Sequence, residues 1–264
     1  MKTMIALLAF PALVLLMAWP LTAHGKDKKD VTVAVSWTLP PFVFPETDTG
    51  IDLEIAKKAL AFGDYNLTPS YMSYGRTAKD LRERNVDGAL TVSEIRGIDQ
   101  VHFTNKYICY QNVAVTLEES GNQIPSIEDM QDISVVAFQD ATKILGDQFK
   151  QAAQSSPLYR EVSNQENQVA LLYMQRTEAI VLDVNIFTYY QNNSPKADID
   201  VPVNIWRLFP ASCYSAAFLD EEIKNAFNRG LKQLICSGEY ESIFFKYGIK
   251  DIIPLPEETF CPQQ

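Results

Sequence analysis

The chain has 264 residues, of which 47% are hydrophobic, and its formal net charge at pH 7 is -10. This acidic balance repels phosphate backbones and anionic lipids, so it argues against a protein that binds nucleic acid or a membrane surface. The hydrophobic content can fill one large core or two smaller ones, and we expect two.

Residues 1–25 have the features of a cleavable export signal. Their one charge is Lys2, which precedes an apolar run at 4–16, and small residues suited to cleavage follow. Pro11 and Pro20 interrupt the segment, which argues against a membrane span. No cysteine lies near the cleavage site to carry a lipid. We therefore expect the mature protein to be soluble in the periplasm, neither lipid-anchored nor inserted in the membrane.

The chain after the signal opens with a predicted strand, a tight turn and a helix. Val31, Val33 and Val35 alternate in a β-branched run that ends in a Pro-Pro-aromatic turn. A Gly-x-Asp element at 50–52 then opens a segment with apolar residues at a mostly helical period. This order places Trp37 at the carboxyl end of a strand, where open α/β sheets bind ligands.

The rest of the chain alternates predicted strands and helices, which is typical of parallel sheets with crossover helices. The predicted strands are 67–72, 86–92, 109–117, 133–138, 179–182 and 214–219. The predicted helices are 76–84, 142–153, 165–174 and 184–191, with two more at the C-terminus. The continuous apolar run at 109–117 favours a strand that passes from one lobe to another, with a return near 203–207. The middle third should therefore form a lobe of its own.

Histidine and cysteine are too few and too scattered for several kinds of chemistry. His102 is the one histidine after the signal and lies beside an apolar strand, so we interpret it as structural, not as a catalytic base. The four cysteines lack C-x-x-C spacing, which argues against zinc, and an oxidising compartment favours disulfides. Three pairings are open to them. We expect no catalytic residue, metal or cofactor.

Five stretches, in order along the chain, resemble the solute-binding proteins of family 3, the periplasmic amino-acid-binding proteins that feed ABC transporters. They are SWTLPPFVFPETDTGIDLEIAKKAL at 36–60, TVSEIRGIDQVHFTNKY at 91–107, VVAFQDATKILG at 135–146, EAIVLDVNIF at 178–187 and LKQLICSGEYESIFFKYG at 231–248. The first begins at residue 36 and the last ends at residue 248, so the resemblance extends over nearly all of the chain after the signal.

The resemblance implies a two-lobed α/β Venus-flytrap fold of the periplasmic-binding-protein-like II type. Lobe 1 would be discontinuous, built from 26–111 and 208–264, and lobe 2 would be inserted at 112–207. The protein would be a monomer that closes its cleft on a small amino-acid-like solute and delivers it to the membrane permease of an ABC importer. The resemblance also favours a Cys236–Cys261 disulfide, since Cys236 ends a helix and Cys261 lies on an extra tail.

The resemblance also implies a site for the head group of an amino acid. Arg96 stands where the family has an arginine that grips the α-carboxylate, and Asp183 stands where an aspartate binds the α-ammonium. Thr91 and Thr142 align with contacts to the same carboxylate from opposite lobes. By local pattern alone, Arg96 also fits a solvated loop residue, and Asp183 and Thr142 fit helix caps. Because Arg96 and Asp183 come from different lobes, ligand would select the closed state.

Five further residues are candidates for ligand contacts. Among them, Tyr74 stands thirteen residues before Asp87, the spacing at which the resemblance implies an aromatic residue that stacks on the ligand. Tyr74 and Trp37 would each form an aromatic wall of the ligand site, and the alternative for each is a residue of the hydrophobic core. Arg76 would reach the ligand or cap its helix, and Asp140 and Asn185 would address the ligand's side chain. The sequence also departs from the family pattern, because Asp140 stands where a glycine is usual and the loop that carries Thr91 is about three residues shorter.

Two rival functions stay open at this point. Exported dehydratases that act on cyclohexadienyl acids such as prephenate and arogenate share the fold, and they need a carboxylic acid whose pKa is raised by burial. Asp183 or Asp140 would have to serve as that acid. The other rival is a freestanding ligand sensor that reports to a membrane receptor.

Overall fold

The structure is a computed structural model that describes residues 28–92, 101–256 and 261. Its strands are β1 (Lys29–Ser36), β2 (Tyr65–Met72), β3 (Gly88–Val92), β4 (His102–Tyr110), β5 (Asn112–Leu117), β6 (Val135–Phe138), β7 (Arg160–Val162), β8 (Ala179–Asp183), β9 (Val203–Trp206) and β10 (Ser212–Phe218). Its α-helices are α1 (Ile51–Ala61), α2 (Tyr74–Arg82), α3 (Ala141–Ile144), α4 (Asp147–Ser155), α5 (Gln165–Tyr173), α6 (Val184–Asn193), α7 (Glu221–Ser237) and α8 (Glu239–Lys246).

The strands form two separate five-stranded sheets. The first has the order β2-β1-β3-β10-β4, and the second has the order β7-β6-β8-β5-β9. In the first sheet β1 runs parallel to β2 and β3, and in the second β6 runs parallel to β7 and β8. The predicted two-lobed α/β fold is therefore confirmed. We call the parts built on these sheets the first lobe and the second lobe.

The chain passes between the two sheets twice. β4 ends at Tyr110 and β5 begins at Asn112, so Gln111 is the first crossover. The chain returns between Trp206, which ends β9, and Ser212, which begins β10. The middle third is thus inserted into the first lobe, as predicted. The residue boundaries that we assigned to the lobes lie near these crossovers and stay a prediction.

The core of the first lobe explains why the N- and C-terminal thirds pack together. The apolar residues of α1, among them Leu53 and Leu60, are fully buried beneath the sheet and α7. Gly230 of α7 makes this contact possible, because a Cβ there would lie 1.9 Å from the carbonyl oxygen of Ala59. Any side chain at Gly230 would push the two helices apart.

The carboxyl ends of the parallel strands meet at the crossovers. β10 pairs with β4 so that Ser212 lies opposite Tyr110, and β5 pairs with β8 so that Asn112 lies opposite Asp183. Only Gln111 separates the two strands β4 and β5, so these edges of the two sheets face each other. We call the carboxyl ends of β1, β2 and β3 the first-lobe edge, and those of β6, β7 and β8 the second-lobe edge.

Two predicted elements differ from the structure. The strand predicted at 109–117 is divided at Gln111, whose N–H donates to the carboxylate of Asp183 at 2.8 Å instead of continuing a ladder. The helix predicted at 142–153 is divided into α3 and α4 at Gly146, whose φ of 89° lies in the left-handed region. The other predicted strands and helices are confirmed with ends that shift by a few residues.

Two disulfides join the four cysteines. The predicted Cys236–Cys261 pair is confirmed, and the other bond joins Cys109 to Cys213 across the β4–β10 pair. Cys109 and Cys213 are 104 residues apart and enclose the whole second lobe. A loop of about 100 residues corresponds to about 4.7 kcal/mol of stabilisation in the chain-entropy account. The bond also holds the two crossovers side by side at the base of the second lobe.

Within the described ranges, the structure contains no helix with the length and hydrophobicity of a membrane span.

Candidate ligand-binding site

Asp183 lies at the second-lobe edge and is 3% exposed. Its Oδ1 accepts hydrogen bonds from the N–H groups of Asn185 (2.8 Å) and Ile186 (3.1 Å), so it is the N-cap of α6. Its Oδ2 accepts from the crossover N–H of Gln111. A carboxylate has about four acceptor positions. The local interpretation of Asp183 as a cap is therefore confirmed, and one position on Oδ2 is left for another donor such as an ammonium group.

Burial raises the pKa of Asp183 to about 7, although the N–H donors of Ile186, Gln111 and Asn185 and the charge of Arg207 act to lower it. The carboxyl group is therefore poised between its two protonation states at neutral pH. A cation bound at Oδ2 would favour the charged form. Asp183 is thus suited to receive an ammonium group and to release a proton when it does so.

Asp52, which the sequence analysis did not assign to the site, holds Thr91 at the first-lobe edge. The Thr91 hydroxyl donates to Oδ2 of Asp52, and the Tyr107 hydroxyl donates to Oδ1. The Thr91 N–H donates to the Tyr107 hydroxyl at 3.1 Å. These bonds hold Thr91 at a φ of 53°, which is uncommon for a β-branched residue. The Thr91 hydroxyl is consequently used as a donor inside the lobe, so its predicted ligand contact would have to be made in another way.

Asp52 is 1% exposed, and burial raises its pKa to about 6 against the lowering effect of the bonds from Thr91 and Tyr107. A sequence signal for this residue exists. The Gly-x-Asp element places an aspartate between Ile51 and Leu53 on a face that is otherwise apolar. A charged residue on such a face needs polar partners inside the fold.

Tyr110 is a second residue that the sequence analysis missed. It ends β4 beside the crossover, and its ring packs against Phe42 (4.4 Å between centroids) and Tyr214 (5.5 Å). Its buried hydroxyl has no hydrogen-bond partner within the described part of the chain. Burial raises the pKa of Tyr110, and the carboxylates of Asp52 and Asp183 raise it further. Because buried polar groups are seldom left unpaired, this hydroxyl is a candidate donor to a ligand.

Thr142 and Asp140 both bind Glu161 on the neighbouring strand β7. Asp140 has a φ of 65°, which lies in the left-handed region that favours glycine. Its N–H donates to Oε2 of Glu161 at 2.7 Å, and the Thr142 N–H and hydroxyl donate to Oε1 at 2.9 and 2.8 Å. Asp140, not Thr142, occupies the N-cap position of α3. The alternative that Thr142 caps its helix is therefore wrong.

The remaining predicted contact residues fall into two groups. Arg96 and the side chain of Tyr74 lie outside what the structure describes. Trp37 follows the end of β1 and is 66% exposed, so the alternative that it is a core residue is wrong. Arg76 donates from Nε to Asp80 at 2.7 Å, four residues further along α2, and does not cap the helix.

A contact between aromatic rings joins the two lobes beside this site. Phe44, in the loop before α1, lies 5.6 Å from the Tyr189 ring of α6, edge to face, and stacks on Tyr247 at 6.0 Å. A centroid distance of this size is typical of favourable aromatic pairs. The loop after the Pro-Pro turn therefore contacts both lobes, next to the edge that carries Asp183.

Residues 31–250 match the family described as bacterial extracellular solute-binding proteins, family 3. The chain belongs to this family. It is 24% identical over 248 residues to the arginine-binding extracellular protein ArtP of Bacillus subtilis (strain 168), an alignment that covers 88% of this chain and 93% of ArtP.

Solved structures share the fold. An ancestral arginine-binding protein bound to arginine superposes with a TM-score of 0.67 at 22% identity, over 84% of this chain and 99% of the other. The ancestral amino acid-binding protein AncCDT-1, a precursor of cyclohexadienyl dehydratase, superposes with a TM-score of 0.64 at 22% identity, over 83% and 95% of the two chains. These likenesses identify the type II periplasmic-binding-protein-like fold.

Proposed function

We propose that the protein binds a small amino-acid-like solute outside the cytoplasm and delivers it to the membrane permease of an ABC importer. The observation that carries the proposal is Asp183, a buried carboxylate at the crossover with one acceptor position left for an ammonium group. Membership of an extracellular solute-binding family supports the same conclusion.

The proposed site lies between the lobes, with lobe 1 formed by 26–111 and 208–264 and lobe 2 by 112–207. Arg96 binds the ligand's carboxylate from the first lobe and Asp183 binds its ammonium from the second. The Tyr110 hydroxyl is a further donor, and Trp37 and Tyr74 are the aromatic walls. Since the two charges on the ligand are satisfied only when both lobes reach it, the ligand stabilises the closed cleft.

The relatives indicate which ligand to test first. ArtP and the ancestral protein are named for arginine. A cationic amino acid also suits a chain with a net charge of -10, which attracts positively charged solutes. We therefore propose a basic amino acid as the first ligand to test.

The test is a thermal-shift screen of the mature protein against the twenty amino acids, polyamines and small dicarboxylates. A ligand at a hundredfold excess over its Kd adds about 2.7 kcal/mol to the free energy of unfolding, which is a readily measured shift. We expect the largest shift with a basic amino acid. The absence of a shift with every amino acid would contradict the proposal.

A second candidate function is the dehydration of a cyclohexadienyl acid, and one observation favours it. Burial raises the pKa of Asp183 to about 7, which is the property that a general acid needs. Incubation of the protein with prephenate and with arogenate, followed by mass spectrometry of the products, tests this function. We expect both compounds to be recovered unchanged, and their conversion would establish an enzyme.

A further inference from the structure

Glu161 holds a set of donors that resembles a binding site for a carboxylate. Its Oε1 accepts hydrogen bonds from the Thr142 N–H and hydroxyl and from the Tyr159 hydroxyl (2.9 Å), and its Oε2 accepts from the Asp140 N–H. Burial acts to raise the pKa of Glu161, but the bonds from Thr142, Tyr159 and Asp140 outweigh it and hold the pKa below its usual value. Glu161 is therefore an anion at neutral pH.

These donors lie at the second-lobe edge. Glu161 pairs with Ala137 in the parallel β6–β7 ladder, and its side chain reaches past the end of β6 to the turn at Asp140. The two N–H groups and the Thr142 hydroxyl each have one hydrogen to donate, and each donates it to Glu161. A ligand carboxylate would have to displace Glu161 to use them.

We propose that Glu161 is an internal carboxylate that occupies the carboxylate subsite of the second lobe, so that the ligand's own carboxylate binds to the first lobe alone. This inference rests on the proposed function, because it concerns the same ligand in the same cleft. Thr142 was predicted to contact the ligand's carboxylate, and in this proposal it binds the carboxylate of Glu161 instead.

The consequence is a second lobe that selects for positive charge. Its edge presents Glu161 and Asp183, while the ammonium group of Lys143 is paired with Asp140. A ligand carboxylate brought to this edge would meet like charge, whereas an amine or guanidinium would meet an acceptor. The expected ligands are therefore solutes whose cationic group faces the second lobe. The ligand's own carboxylate adds less to the affinity than it would if Glu161 did not occupy the donors of Asp140 and Thr142.

The first experiment probes the subsite with acetate, which replaces the atoms that Glu161→Ala removes. The melting temperature of the wild type, Glu161→Ala and Glu178→Ala is measured in sodium acetate and in sodium chloride of equal ionic strength. Glu178 is a matched control because it also accepts an N–H and a hydroxyl bond, both from Ser134, at the opposite end of the same sheet.

We expect acetate to raise the melting temperature of Glu161→Ala above its value in chloride, and to leave the wild type and Glu178→Ala unchanged. Equal effects of acetate on all three proteins, or no effect on any, would overturn the proposal. If Glu161→Ala does not fold in chloride, Glu161→Val replaces it in both experiments, because a β-branched residue suits a position in the strand β7 and likewise removes the carboxylate.

The second experiment measures the affinity of the wild type and the Glu161 variant for L-arginine and for agmatine, which lacks the carboxylate, by calorimetry. We expect Glu161→Ala to raise the preference for L-arginine over agmatine by about tenfold, since the freed donors make charge-assisted hydrogen bonds to the ligand. An unchanged preference in a variant that binds both compounds would overturn the proposal. Failure of every variant to bind L-arginine would count against the proposed ligand, and the acetate result would still decide the role of Glu161.

Discussion

The two lobe edges use acidic side chains in opposite ways. At the first-lobe edge, Asp52 lies inside the lobe and accepts the hydroxyls of Thr91 and Tyr107, while the Tyr110 hydroxyl stays unpaired within the described residues. At the second-lobe edge, Asp183 and Glu161 accept hydrogen bonds from backbone N–H groups that lie just beyond the strands. The first edge is left with a donor to offer and the second with acceptors.

This difference teaches how one cleft can distinguish the two ends of a zwitterion. An edge that offers donors suits a carboxylate, and an edge whose donors are already satisfied by its own carboxylates suits a cation. Because the two edges meet at the crossover residue Gln111, we propose that the ligand's orientation across the cleft follows from this asymmetry.

The removal of Arg96 should have the largest effect. Arg96→Ala should leave the fold intact and weaken amino-acid binding by about 2–5 kcal/mol, or about thirtyfold to several thousandfold in Kd, because the ligand's carboxylate loses its charged partner. Arg96→Lys should recover little, since an ammonium cannot reproduce a planar bidentate contact. Calorimetry measures the affinity, and circular dichroism checks the fold. Arg82→Ala, which changes an exposed arginine of α2, is the control, and an equal loss in both variants would contradict the assignment.

Asp183→Asn should weaken amino-acid binding by about tenfold to a hundredfold, because an uncharged amide replaces the acceptor of the ammonium group. It should affect a carboxylate that lacks the amine far less. Both affinities are measured by competition calorimetry. Asp220→Asn is a matched control, since Asp220 caps α7 through the Glu222 N–H (2.7 Å) away from the cleft. Equal sensitivity of the two ligand types to Asp183→Asn would show that Asp183 acts only as a cap.

Asp52→Ala should destabilise the protein by about 1–3 kcal/mol, since it removes the carboxylate that accepts hydrogen bonds from the Thr91 and Tyr107 hydroxyls. The same change should weaken ligand binding less than Arg96→Ala, because Asp52 is buried inside the first lobe and its oxygens accept hydrogen bonds from Thr91 and Tyr107. Urea unfolding measures the stability. The exposed Asp87, which accepts the Thr32 N–H at the far end of the same sheet, provides the control Asp87→Ala. A smaller loss of stability in Asp52→Ala than in this control would contradict the account.

The pH dependence of stability is the least direct test of the difference between the edges, and it should have an unusual sign. Burial raises the pKa of Asp52 to about 6 and that of Asp183 to about 7, from an ordinary value of 3.8. Between pH 5 and 7 the folded state therefore binds more protons than the unfolded state, and these two groups make the free energy of unfolding fall as the pH rises. Urea unfolding across this range measures the slope. Asp52→Asn and Asp183→Asn should each reduce it, and a slope that neither variant changes would contradict the two assignments.

The sequence predicted local structure well and predicted long-range contacts poorly. Apolar periodicity identified most strands and helices, and an aspartate between a buried strand and a helix identified the cap at Asp183. The roles of Asp52 and Glu161 were not predicted, because their hydrogen-bond partners are distant along the chain. Asp52 binds residues 39 and 55 positions away, and Glu161 binds Thr142, 19 positions away. Glu161 also lies in β7, a strand of three residues, which is too short for an alternation of apolar residues to predict it.

The exposure of Trp37 illustrates another limit of the sequence. Its position after a strand was predicted, but whether an aromatic residue there is buried depends on the loop that follows and on the opposite lobe. In the same way, the Cys109–Cys213 bond depends on the pairing of β4 with β10, which are separated by the entire second lobe. Contacts of this kind follow from topology and not from any local pattern.

The most direct test of the asymmetry is a crystal structure of the protein with the amino acid that gives the largest thermal shift. We expect the ligand's carboxylate to lie at the first-lobe edge with Arg96, its ammonium to bind Oδ2 of Asp183, and Glu161 to keep its bonds to Asp140 and Thr142. A ligand carboxylate bound to the N–H groups of Asp140 and Thr142, with Glu161 displaced, would contradict it.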